Sequence, residues 1–262
     1  MNGSRHQQAL IKKFIETAQT DRNTAIVYLN ESNWDINNAL SDYFNRQSYG
    51  MSYLSNNTGN NYPRNVGGIV DEIFKKFFDK KDDCGNNLGP NGVAKLLQYM
   101  NIDFSDRKVL ILAWMCEAKI QGEFSREELE AGILKLDVRK LDDINGRLTQ
   151  WDRNLETAVY REHFKSLYEF TYDYGNDKPG RKWLPIDVAS AYWEILFKNP
   201  PPLMPLWLKF LKTTDSKKIT KDTWNLVLEF MTTMDDSFRN YTCEDCWPVL
   251  IDEFVEYAKN SV

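Results

Sequence analysis

The chain reads as all-α: a small three-helix domain over residues 1–48, a flexible linker over 49–65, and a larger multi-helix domain over 66–262. Three observations predict this. Apolar residues recur at helical spacing through most of the chain, and no alternating strand of useful length stands out. Between the two helical regions runs QSYGMSYLSNNTGNNYPRN, rich in Asn, Ser, Gly and Tyr and without a helical period. The 8 Trp, 13 Tyr and 14 Phe, within a hydrophobic fraction of 42%, supply enough apolar surface for packed cores.

The first helix carries Leu10, Ile11, Phe14, Ile15 and Ala18 on one side. Asp21 can cap a second, which holds Ala25, Ile26, Tyr28 and Leu29. Asp35 or Asn33 can start a third, with Ile36, Ala39, Leu40, Tyr43 and Phe44 on its apolar face. A unit of ~40 residues is marginal for independent folding, so its aromatics, Trp34 above all, are expected at the centre. From Val66 onward, helices are expected over 68–80, 91–101, 105–118, 125–136, 140–171, 185–197, 203–213, 221–234 and 247–259. Ser105, Ser125 and Thr220 suit N-caps, and Ser125 with Glu128 fits a capping box. Pro90, Pro185, Pro200 to Pro202, Pro205 and Pro248 fall at helix starts or between helices. No sequence repeat with a period of roughly 20–50 residues is visible.

Charge narrows the partners. The net charge of −5 lacks the basic footprint of a nucleic-acid binder. It is also uneven: from Asp222 to the end, nine acids face two bases, a charge of −7 that leaves the rest slightly basic. Such asymmetry points to a partner with a basic surface. No apolar run approaches the ~20 residues of a membrane span, and the polar amino-terminal residues carry no signal-peptide core. Four cysteines in a chain this long do not make a disulfide framework. A monomer in the cytoplasm and nucleus, with no membrane or nucleic-acid partner, is expected.

Catalytic chemistry finds little support. His6 and His163 are the two histidines, which leaves few imidazoles for acid–base or nucleophile pairs. Neither a P-loop nor G-x-G-x-x-G occurs. Cys243 and Cys246 form a CxxC with no second ligand pair nearby. FDKKDDCGNNLGPNGVAKLLQYM has the shape of an EF-hand, but its register fails. Counting from Asp79 places Lys81, Cys84 and Pro90 where calcium needs an oxygen ligand, Gly and Glu. EF-hand-like helix pairs without calcium ligands are therefore expected, with no metal, no cofactor and no catalytic residue.

Two features remain. VLILAWMC, Val109 to Cys116, is apolar on every side, as a fully buried helix or one whose second face lines a groove would be. Towards the end, Asp222 lies in the first turn of one helix and Asp252 on a polar face of the next, where the two can converge or simply be solvated.

SNWDINNALSDYF, LAWMCEAKIQGEFSREEL, ASAYWEILF, ITKDTWNLVLEF and WPVLIDEFVEYA together resemble the defective-in-cullin-neddylation family, across almost the whole chain apart from the linker. That family pairs an N-terminal ubiquitin-associated-like (UBA-like) domain with a C-terminal potentiating-neddylation (PONY) domain. The resemblance implies a non-catalytic, scaffold-type component of an E3 ligase, which promotes neddylation by holding a cullin, with its RING subunit, near the neddylation-specific conjugating enzyme (E2). Carried over, the family's acidic cullin-binding patch becomes Asp222, Cys246 and Asp252, with Cys in place of the usual Ala. Its pocket for the acetylated amino-terminal tail of the conjugating enzyme becomes Val109, Leu112, Cys116, Gln121, Phe124, Tyr174, Val188, Tyr192 and Ile195. Ubiquitin is a further partner to test against residues 1–48, although Ala18-Gln19-Thr20-Asp21 lacks the apolar loop common in ubiquitin-associated folds. A ubiquitin-binding helical adaptor without neddylation activity is the rival reading.

Overall fold

Helix α1 (Arg5–Ala18) buries Ile11, Phe14 and Ala18 against Ala25, Tyr28 and Leu29 of α2 (Arg22–Glu31). The third helix, α3, is described over 36–40 and adds Ala39. These helices belong to a computed structural model describing residues 5–18, 20, 22–32, 34–40, 43, 65–176, 181–235, 237–242 and 247–261. It divides into two units, Met1–Pro63 and Arg64–Val262. Of the linker assigned to 49–65, all but Asn65 lies outside the described residues, as do Asp21, Asn33 and Phe44.

In the first unit, Asp35 caps α3: its carboxylate accepts the amides of Asn37 and Asn38 at 2.9 and 3.1 Å. The centre is an aromatic trio, Phe14, Tyr28 and Tyr43, with ring centroids 5.3 to 6.0 Å apart. Trp34 is not central. It is half-buried on the edge of this cluster. Its backbone has φ 64°, and its N–H donates to the Leu29 carbonyl at 2.6 Å. Closing the α2 end with a left-handed residue fixes where the ring can point, and that place is the rim.

The second unit opens with α4 (Val66–Phe77), α5 (Pro90–Tyr99), α6 (Arg107–Cys116) and α7 (Arg126–Leu136). The loops before α5 and α7 are tied by two reciprocal bonds: Leu88 N–H to Phe124 O at 2.8 Å and Phe124 N–H to Leu88 O at 2.9 Å. After α8 (Asp143–Asn154) and one 3-10 turn (Ala158–Tyr160), the arrangement recurs. Helix α9 (Arg161–Gly175) leads through β1 (Trp183–Pro185) into α10 (Ile186–Leu196). Helix α11 (Met204–Leu211) leads through β2 (Lys218–Thr220) into α12 (Lys221–Thr233), and α13 (Val249–Ser261) follows. The strands pair antiparallel, with Leu184 opposite Ile219. Three residues are too few to show alternation, which is why neither strand was foreseen. In all four helix–loop–helix passes, a buried apolar residue directly precedes the N-cap: Leu88, Phe124, Leu184 and Ile219.

The loop between α4 and α5 uses its carboxylates on the protein itself. Asp82 accepts the amides of Asn91 and Gly92 at 3.1 Å each, capping α5 from outside. Asp79 accepts Lys81 N–H at 3.0 Å and Lys95 Nζ at 2.7 Å. Ser125 and Glu128 form the expected capping box, and Thr220 caps α12. Ser105 does not cap α6. Asp106 accepts Lys108 N–H in that role, while Ser105 donates to Asp103.

The continuous helix expected over 140–171 is broken between α8 and α9. Arg107 takes the Asp152 carbonyl at 2.9 Å, the acceptor that the Glu156 amide would need to extend α8, and that amide turns to Arg153 O instead. An aromatic core then binds the later helices. Tyr168 OH donates to Trp224 O at 2.7 Å and accepts Trp193 Nε1 at 2.8 Å, while Trp224 Nε1 donates to Tyr168 O at 3.0 Å. Trp193 and Trp224 stack at 4.9 Å. Each buried polar atom of this trio thus has a partner, which removes the penalty that burying it would otherwise carry. Among the described residues, no helix is long and apolar enough to cross a membrane, and no group of three or more His, Cys, Asp or Glu could hold a metal ion.

Candidate functional site

Helix α6 is core on most of its circumference. Leu110, Ile111, Leu112, Ala113, Met115 and Cys116 are buried, whereas Val109 and Trp114 are half-buried. Trp114 packs edge-on against Trp151 and donates from Nε1 to Ser166 Oγ at 3.2 Å. Burial pushes the Cys116 thiol well above its ordinary pKa, so it is an apolar packing group, not a nucleophile.

The nine residues expected to line a tail pocket distribute over four segments. Val109, Leu112 and Cys116 lie on one face of α6, and Val188, Tyr192 and Ile195 on one face of α10. Gln121 and Phe124 are in the α6–α7 loop, and Tyr174 ends α9. Helix α9 packs on both α6 and α10 and is their shared wall. Gly122, at φ 75°, donates its N–H to Tyr174 OH at 3.1 Å, which holds the loop to α9. Next to Tyr174, a Cβ on Gly175 would overlap the Tyr192 ring, so only glycine allows α10 this close. Leu112, Cys116, Phe124, Tyr174 and Tyr192 are buried; Val109, Val188 and Ile195 are half-buried; Gln121 is exposed. Phe124 is occupied by the bridge to Leu88 and the core beneath it. The apolar site is thus an extension of the core, with its accessible part at Val109, Val188, Ile195 and Gln121.

Arg107 is a residue that the sequence reading passed over. It is 1% exposed at the start of the apolar helix. Its Nε donates to Asp152 Oδ1 at 2.8 Å and its Nη1 to Leu196 O at 2.7 Å, and Nη2 lies 2.6 Å from Glu156 Oε1. Lys198 completes Asp152 at 2.6 Å, and Asn199 completes Glu156 at 2.8 Å. The signal available in sequence was a cation two residues before a run of eight apolar residues, with Asp152 and Glu156 four residues apart further on.

The acidic residues sit elsewhere. Asp222 is exposed in the first turn of α12, where Lys221 beside it bonds Asp173 at 2.7 Å. Asp252 is half-buried in the first turn of α13 and accepts a hydrogen bond from Tyr241 OH. The two helices pack through Phe230, whose ring centroid lies 5.4 Å from that of Trp247 and 6.0 Å from that of Phe254. Each acid lies near the positive end of its helix dipole. Glu253 and Glu256 are exposed alongside, and Val249, one turn before Asp252, is 71% exposed. Cys246, the middle member of the triad, and the rest of the CxxC lie outside the described residues.

With this geometry in view, known proteins give a consistent comparison. The family described as "Cullin binding" matches residues 143–257, from α8 through most of α13, and the family described as "UBA-like domain" matches residues 8–48. Defective in cullin neddylation protein 1 of Caenorhabditis elegans is 27% identical over 277 residues, covering 98% of this chain and 91% of that protein. DCN1-like protein 3 of Homo sapiens is 31% identical over 192 residues, covering 72% of this chain and 61% of that protein. The corresponding protein of Xenopus laevis matches to the same extent. The cullin-binding match contains Asp222 and Asp252 as well as Tyr174, Val188, Tyr192 and Ile195. With its all-α fold, its UBA-like unit and its cullin-binding unit, the chain belongs to the defective-in-cullin-neddylation family.

Proposed function

We propose that this protein promotes cullin neddylation as a non-catalytic adaptor, gripping a cullin with Asp222, Cys246 and Asp252 and the acetylated tail of the conjugating enzyme with the α6–α9–α10 pocket. The observation that carries the reading is that Asp222 and Asp252 occupy the first turns of two helices packed on each other, within the segment matched by the cullin-binding family. Their accessible carboxylates suit basic side chains on a cullin, and exposed Val249, one turn before Asp252, offers an apolar contact beside that acid. The second grip follows from desolvation. A charged amino terminus would be costly to bury beside Leu112 and Cys116, whereas an acetyl amide needs only hydrogen bonds.

Held on one body, the two components meet at raised effective concentration with the thioester oriented toward the acceptor lysine. No side chain of this protein need touch the reacting atoms. A reconstituted cullin-modification assay at limiting conjugating enzyme tests this. Addition of the protein should raise the initial rate, and an unchanged rate would overturn the reading. The UBA-like match over 8–48 favours one second reading, a ubiquitin-binding adaptor. Ubiquitin binding without any cullin affinity would select it.

A further inference from the structure

Arg107 ties together the two helices that carry the tail pocket. It lies at the start of α6, two residues before Val109, and its Nη1 holds the carbonyl of Leu196, the last residue of α10 and the neighbour of Ile195. Val109, two residues after Arg107, and Ile195, one residue before Leu196, are both half-buried. The guanidinium is fixed by the Asp152 carboxylate, the Asp152 carbonyl and Glu156, which are themselves held by Lys198 and Asn199. A planar fork bonded on several sides in a buried site has little freedom to tilt. The Leu196 carbonyl is one of the orphan acceptors that end a helix, so the same bond also satisfies the end of α10.

We infer that Arg107 is a positioning residue for the tail pocket: by holding the carboxyl end of α10 to the amino end of α6, it fixes how these two helices stand against α9, and with them the half-buried Val109 and Ile195 offered to the acetylated tail of the conjugating enzyme. This rests on the pocket assignment above and adds a residue to it. Lysine keeps the charge but, as a point donor, does not span Asp152, Glu156 and Leu196 together. Arg107→Lys therefore leaves a charged, paired core in which the tie to Leu196 is lost.

The test uses the full chain and two titrations on the same preparations, one with a synthetic N-acetylated peptide copying the amino terminus of the conjugating enzyme, the other with a cullin. Arg107→Lys should weaken peptide binding roughly tenfold, as a loss of about 1.4 kcal/mol requires, with cullin affinity within about twofold of the parent. A general loss of structure would lower both, so equal losses overturn the positioning role. So does unchanged peptide affinity. If the parent itself does not bind the peptide, the pocket assignment fails first, which is a different result. Should Arg107→Lys not fold, the parent offers a second measurement. Exchange of the Arg107 Nε proton, followed by NMR, should slow when the acetylated peptide binds and not when the cullin does. No slowing with bound peptide overturns the role.

Discussion

The two proposed grips are built from opposite materials. The tail pocket is lined by residues that also make the core, with Leu112 and Cys116 3% and 1% exposed. The acidic patch is made of side chains that the core does not need: Asp222 is exposed and Asp252 half-buried, on helices held together by Phe230, Trp247 and Phe254. The difference teaches that one surface cannot change without a cost in stability, whereas the other is free to vary in charge while the fold persists. A core-derived site gains rigidity from dense packing. A surface-derived site gains adjustable electrostatics, which act on encounter and specificity.

The largest effect should come from Leu112→Asn. Burying an amide where a leucine packed should cost about 3 kcal/mol, read from urea unfolding, and should abolish binding of the acetylated tail. A stable variant that still binds would break the claim that pocket and core are one. Next, Asp222→Lys together with Asp252→Lys should lower cullin affinity by roughly one to two orders of magnitude, measured by titration calorimetry. Its unfolding free energy should fall by about 1–2 kcal/mol, from the lost Tyr241–Asp252 bond and the reversed charges at two helix ends, with the fold intact; a loss of the folded state would show that the acids are structural. Tyr241→Phe removes the hydroxyl that holds Asp252 and should cost about 1 kcal/mol in stability, with a severalfold change in cullin affinity and none in tail binding. Equal changes at both grips would blur the contrast.

The smallest effect concerns acid. Asp79, Asp103 and Asp235 are held below the ordinary value of 3.8, foremost by side-chain hydrogen bonds from Lys95, Ser105 and Ser237 respectively. A carboxylate with a lowered folded pKa contributes stability that is present above its unfolded value and lost as pH falls through the folded one. A shallow loss of thermal stability is therefore expected below about pH 3.8, localised to these loops; a midpoint independent of pH there would contradict it.

Helical spacing alone located nearly every helix of the larger unit to within a few residues, because each buries one stripe against a common core. The misreadings have identifiable physical sources. The helix expected over 140–171 breaks where a distant arginine bonds one of its carbonyls, a contact that no local pattern reveals. Trp34 was assigned to the centre by its size, but a left-handed backbone turned it to the rim. The recurrence of four helix–loop–helix passes was hidden because it repeats a position, not a residue: the apolar side chain before each N-cap is Leu88, Phe124, Leu184 or Ile219. As for the candidate site, the segments came from family resemblance. Sequence patterns left the apolar helix open between core and groove, and accessibility shows that core prevails along most of it.

The Leu88–Phe124 bridge has a wider meaning for signalling. Hinged calcium sensors change shape because an ion draws their loop carboxylates inward. Here Asp79 and Asp82 already grip lysine and main-chain amides, and the neighbouring loops are stitched to each other peptide to peptide. A calcium ion would have to displace these internal partners before it could draw the α4–α5 loop inward, so the carboxylates that would serve a sensor are spent here on holding the helix ends in place.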